Sequence, residues 1–126
     1  RGETVGLLPD QVPDPGKGGD GVWADFYGRP AYTMTLAQKF AKTTGALVVM
    51  MACIRLPDAA GYRLVFMPKL VFSEDAATSA RELNAEVEAL IALAPDQYLW
   101  SYNRYKVPAG TSPAAVGQSE PMSEKT

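Results

Sequence analysis

Histidine is absent from this 126-residue chain. Its absence excludes a Ser-His-Asp relay, a histidine general base and a histidine-ligated metal site built from these residues alone. Cysteine occurs once, at Cys53, so no internal disulfide framework can form, and this usage suits a reducing compartment. No apolar run approaches the roughly 18 residues that span a bilayer, and the first residues do not read as a secretory signal. Charge is nearly balanced, with a formal net of −2. No basic face dominates, so nucleic acid is not an expected partner.

The chain is long enough for one domain with a buried core. Its organising stretch is Thr4 to Pro30, TVGLLPDQVPDPGKGGDGVWADFYGRP. Val5 to Leu8 is a short continuous apolar run, the pattern of a strand buried on both faces. Pro9 would end it, leaving Asp10 and Gln11 at the strand's C-terminal end, where α/β folds place chemistry. The loop that follows is dense in Pro and Gly and long enough to be functional or disordered. Val22-Trp23 and Phe26-Tyr27 predict that its second half docks on the body of the domain.

Downstream, Ala31 to Thr44 has a helical pattern, with Leu36, Ala37, Phe40 and Ala41 on the apolar face and Gln38 and Lys39 away from it. Gly45 is placed as its cap. Ala46 to Ile54 is nine apolar residues in a row, predicting a central strand with Cys53 buried and inert. A turn over Leu56–Gly61 and an antiparallel strand from Tyr62 to Met67 follow, closed by Pro68. Ser73-Glu74-Asp75 opens a long amphipathic helix with Ala80, Leu83, Val87, Leu90, Ile91 and Ala94 inward, stopped by Pro95. Tyr98, Trp100, Tyr102 and Tyr105, with Arg104 and Lys106 between them, make an aromatic final segment whose expected role is packing. Past Pro108 the composition offers nothing to bury, and disorder is expected over 108–126.

Several motifs fail on context. Gly16-Lys17-Gly18-Gly19-Asp20-Gly21 satisfies G-x-G-x-x-G by letter, yet it neither follows a strand directly nor opens a helix, and it is no P-loop. Asp14, Asp20 and Asp25 lack the spacing and closing Glu of an EF-hand. No metal or cofactor is therefore expected. Asp10 admits two readings: a carboxylate that orients a base or polar substrate, or an Asx-type cap of its own loop.

The segments GLLPDQVP, GVWADFYGRPAYTMTLAQKFAKTTGA and APDQYLWSYNRYK, in this order from about Arg1 to Lys106, resemble the C-terminal half of the bacterial lauroyl/myristoyl acyltransferases of lipid A biosynthesis. Those enzymes belong to the lysophospholipid acyltransferase superfamily. The resemblance implies an α/β fold, a three-layer arrangement with a mostly parallel sheet and flanking helices, of which the N-terminal half is missing. Residues 1–107 would be the C-terminal part of the acyltransferase domain.

The resemblance further implies transfer of a fatty acyl chain from acyl carrier protein to a hydroxyl of a lipid A precursor. It implies a place on the cytoplasmic face of the bacterial inner membrane, reached through an N-terminal anchor. Catalysis in the family rests on His-x-x-x-x-Asp/Glu, which this sequence does not contain, so the histidine base is expected upstream and the chain alone is expected to be inactive. The start at Arg1 agrees with a chain cut inside a domain. By position, Asp10 and Gln11 fall in the family's LPDQ-type segment beside the cleft. Gln97 to Lys106 falls in its C-terminal signature, with Asp96 where Glu is usual. Arg29, Arg104 and Lys106 become candidate contacts for phosphate, carboxylate or acidic carrier protein. The rival readings are a non-catalytic fragment that binds lipid or a partner, and an acyltransferase for another glycolipid acceptor.

Overall fold

A computed structural model describes residues 2–113. Its elements are β1 (Gly21–Phe26), β2 (Arg29–Met34), α1 (Leu36–Thr44), β3 (Val48–Arg55), β4 (Tyr62–Leu70) and α2 (Ala76–Leu93), with single 3-10 turns before β1, between β3 and β4, and after α2. β1 pairs with β2 and β3 with β4, both antiparallel, as two separate two-stranded sheets.

The mostly parallel, three-layer sheet expected from the sequence is therefore not the architecture of the described residues. Two local features overturn it. Val5–Leu8 belongs to no strand, and Val5 and Leu8 are exposed. The second half of the expected loop and the start of the expected helix fold instead as the β1–β2 hairpin. Its register brings Phe26 opposite Arg29, leaving Tyr27 and Gly28 as a two-residue turn. Both have positive φ, 48° and 72°, which matches the twist of the flanking strands. Two of the aromatic groups dock as predicted, but from a strand: Phe26 is buried and Trp23 packs on Tyr32 with ring centroids 5.4 Å apart, whereas Tyr27 lies in the turn and is exposed.

α1 begins later than expected, at Leu36, and presents a different face. Ala37 and Gln38 are buried while Leu36 and Phe40 are exposed. Gly45 does cap it, at φ 68°, donating its N–H to the Ala41 carbonyl. β3 is not a central strand. It alternates, with Met50 and Ile54 buried and Val49, Met51 and Cys53 outward, so Cys53 is exposed rather than buried. A two-stranded sheet can cover only one face, and that geometry overrides the continuous apolar run. β4 continues through Pro68, because a bulge opposite Met50 places Met67 and Pro68 where the ladder is interrupted and no proline donor is needed.

α2 carries the core. The Asp75 carboxylate accepts from the Thr78 N–H at 2.8 Å and caps its first turn. Ala80, Leu83, Val87 and Ile91 are buried as the periodicity required. Leu83, Val87 and Ile91 meet Phe26 and Ala31 of the first hairpin and Met50 of the second. Polar bonds fix the turn of the first hairpin to the same helix: Glu88 accepts the Tyr27 N–H at 2.8 Å and pairs with Arg81, whose Nη1 also donates to the Asp25 carbonyl at 2.8 Å. Leu83→Ala should cost about 2–5 kcal/mol by the cavity it leaves, read by denaturant unfolding.

The Arg81 hydrogen bond holds the Glu88 carboxyl below the usual carboxylate range; burial opposes it, and the Tyr27 N–H adds a lesser lowering pull. A depressed folded-state pKa contributes stability above the unfolded value of about 4.3 and loses it as pH falls through the folded value. Glu88→Gln should therefore lower the melting temperature at pH 7. The gap from the parent should close as pH falls below 4, and a gap that persists undiminished there would contradict this account.

Candidate functional site

The Pro9–Val12 segment is held from the far end of the chain. Its Val12 N–H donates to the Tyr102 hydroxyl at 2.8 Å, across a separation of 90 residues. Locally, Gln11 N–H closes a turn on the Leu8 carbonyl at 3.2 Å. Asp10 is half-buried and Gln11 exposed. The Gly-rich stretch beyond makes a short turn, in which the Asp14 carboxylate accepts the Gly16 N–H at 3.0 Å, while Asp20 pairs with Lys39. No group of three or more potential metal ligands forms among the described residues.

Arg104 anchors the C-terminal segment. It is 3 % exposed, beside Thr33 at 0 % and Asn84 at 1 %. One Nη donates to the Tyr32 carbonyl at 2.8 Å, and the other to Thr33 Oγ1 at 2.9 Å and Asn84 Oδ1 at 3.0 Å. Asn84 Nδ2 completes the network by donating to Thr33 Oγ1 at 3.0 Å and the Asp25 carbonyl at 3.1 Å. Three elements, β2, α2 and the 98–105 segment, thus share one buried guanidinium. Burial pulls its pKa down, against the raising pull of Tyr98 and Asp10, but an arginine starts so high that it stays charged.

The sequence-predicted site residues separate in space. Arg104 is interior, and its two terminal nitrogens are committed to protein acceptors. Arg29 is at the surface, its guanidinium carbon 4.1 Å from the centre of the Tyr105 ring, and Lys106 is exposed. Asp10 acts electrostatically on both Tyr98 and Arg104, so the two segments singled out in the sequence come together. The Tyr98 hydroxyl, buried and close to the Asp10 carboxylate, is pushed up to about 12, first by burial and then by that charge. Two hollows open elsewhere. One of about 160 Å³ lies beside Gly19, Asp20, Thr35 and Lys39, and one of about 270 Å³ beside Lys42, Leu47, Leu70 and Phe72. Asp10 lines neither.

Sequence reasoning gave Tyr98 only a packing role and missed Thr33 and Asn84. Thr33 and Asn84 carry no motif, but Asn84 had one signal: a polar residue next to Leu83 on the inward side of an amphipathic helix asks for a buried partner.

The sequence profile of the bacterial lipid A biosynthesis acyltransferase family matches residues 1–107. The chain belongs to this family. It is 34 % identical over 108 residues to the lipid A biosynthesis lauroyltransferase of Escherichia coli (strain K12), covering 84 % of this chain and 35 % of that protein. It is 32 % identical over 114 residues to the palmitoleoyltransferase of the same strain, covering 89 % and 37 %. A lipid A biosynthesis acyltransferase of Haemophilus influenzae is 33 % identical over 100 residues, covering 79 % and 30 %. The chain therefore spans about a third of the length of the curated relatives it matches. No helix among the described residues is long and apolar enough to cross a membrane.

Arg104→Lys keeps the charge but not the fork that reaches three acceptors. It should destabilise the fold by about 1.5–3 kcal/mol, the range for hydrogen bonds to a charged group. Chemical denaturation of the two proteins checks this, and equal midpoints would remove Arg104 as the anchor.

Proposed function

We propose that this chain forms part of an acyltransferase that moves a fatty acyl chain from acyl carrier protein to a hydroxyl of a lipid A precursor. The observation that carries the reading is the convergence of the two family segments. Pro9–Val12 and Tyr98–Tyr105 both lie inside the family match, and the Val12–Tyr102 bond ties them into one wall. An idle linker would not need tethering to a segment at the other end of the fold.

The reaction requires a base to take the acceptor hydroxyl proton as that oxygen attacks the thioester carbonyl, with the thiolate leaving. The 126 residues contain no histidine, so in this proposal the His-x-x-x-x-Asp/Glu pair of the family comes from a part of the enzyme outside them. What these residues supply is position: Asp10 and Gln11 face the reacting groups from one side of the cleft. Arg29 and Lys106 are the surface cations available for phosphate, for sugar carboxylates or for acidic carrier protein. The site works at the cytoplasmic face of the bacterial inner membrane, where donor and lipid acceptor meet.

The test is acyl transfer by the complete enzyme carrying Asp10→Ala. Turnover should fall about 10-fold or more if the carboxylate positions the reacting groups, measured at a temperature where the variant is still folded. Full turnover in a folded variant would remove Asp10 from the site.

A further inference from the structure

Two donors in the wall of this site have no partner. The Arg104 Nε–H and the Tyr98 hydroxyl are both buried and make no hydrogen bond among the described residues. The partners of Arg104 are also all neutral: the Tyr32 carbonyl, the Thr33 hydroxyl and the Asn84 amide oxygen. A buried guanidinium without a counter-ion is costly, and so is each buried donor left open. One carboxylate acts on both groups, and it belongs to Asp10. A carboxylate is acceptor-only and can take several hydrogen bonds at once, so it matches two open donors and one uncompensated positive charge.

The surroundings favour the same closure. Two residues beyond Asp10, the backbone is already pinned to the 98–105 segment through Val12 and Tyr102. Tyr98 is braced by edge contact with Trp100, ring centroids 4.8 Å apart, and the Trp100 indole donates to the Pro95 carbonyl at 2.7 Å. Arg104 is fixed by its three bonds. The donors are thus held by packing and hydrogen bonds, and the acceptor sits on a short turn tethered to the same segment two residues away.

We propose that Tyr98 and Arg104 are positioning residues that draw the Asp10 carboxylate inward, with the Tyr98 hydroxyl and Arg104 Nε–H as its donors, and so set the Pro9–Val12 wall of the acyl-transfer site. The inference rests on the reading of Asp10 given above, and adds what holds it. The rival use of Asp10, as a cap of its own turn, would leave both donors open and Arg104 without an acid.

The Nε–H resonance of Arg104 in the ¹⁵N-labelled chain reports the contact independently of any reaction. Asp10→Asn should shift that resonance and speed its exchange with water about 10-fold or more as the closed state is lost, whereas Gln11→Ala should leave it in place. An unchanged resonance in Asp10→Asn overturns the inference. In the complete enzyme, Tyr98→Phe keeps the ring and removes only the donor. It should lower kcat with little change in KM, and it should add nothing to Asp10→Asn, since groups acting as one unit are not additive. Independent, multiplying losses overturn the positioning role. A responsive resonance together with full transfer by Asp10→Ala leaves the contact standing and overturns the reading of Asp10, and with it any role of Tyr98 and Arg104 in transfer.

Discussion

The described part of the molecule depends on one buried guanidinium. Arg104 binds the Tyr32 carbonyl and Thr33 of β2 and Asn84 of α2, and its charged carbon lies 5.3 Å from the centre of the Phe26 ring. Those partners belong to elements that the apolar core also joins, since Phe26 and Ala31 pack against Leu83, Val87 and Ile91. Hydrophobic burial brings hairpin and helix together without fixing their register, because it is non-directional. The forked hydrogen bonds of Arg104 and Asn84 do fix it, because each fails if the elements slide by a few tenths of a nanometre. The polar network is thus the address, and the apolar cluster the driving force.

This division explains what could be read from the amino acids. α2 was legible from its capping acid, its period and its terminal proline, because a helix declares itself over several turns. The β3–β4 pair was legible as strands, but its burial was not. Nine consecutive apolar residues fit a central strand, yet here only alternate ones are covered, and the others face outward. The β1–β2 hairpin was illegible because its turn is Tyr27-Gly28, without the Asn-Gly or Asp-Gly signal of such turns. Tyr27 holds its positive φ with help from outside the hairpin, as Glu88 accepts its N–H. That is a tertiary contact that no local pattern encodes.

The candidate site divides in the same way. Asp10 stood out because it follows an apolar run and a proline, although that run turned out not to be a strand. Arg104 stood out as a surface cation among aromatics, and the structure puts it inside. A lone arginine between tyrosines looks the same in sequence whether it faces phosphate or a carbonyl. Only the positions of Thr33 and Asn84, 71 and 20 residues away, separate the two cases. The Val12–Tyr102 bond supplies the link between these two segments that spacing could not.

The repeated triplet Pro-Asp-Gln shows how little local wording determines use. At 95–97 the Gln97 amide acts as a strand surrogate: its oxygen accepts the Arg55 N–H at 2.8 Å and its nitrogen donates to the Arg55 carbonyl at 3.0 Å. Both backbone groups at the end of β3 are thereby satisfied by one side chain. At 9–11 the same three residues have no strand end to meet, Gln11 is exposed, and the acid between proline and glutamine lies within electrostatic reach of Tyr98 and Arg104. The first triplet therefore leaves its carboxylate next to unfilled donors, while the second spends its amide on the backbone. Context gives the acid and the amide different surroundings, and the 98–105 segment begins where the second triplet ends. A single stretch of chain, Pro95 to Tyr105, thus fixes the end of β3, the register of α2 against β2, and the turn that holds Asp10.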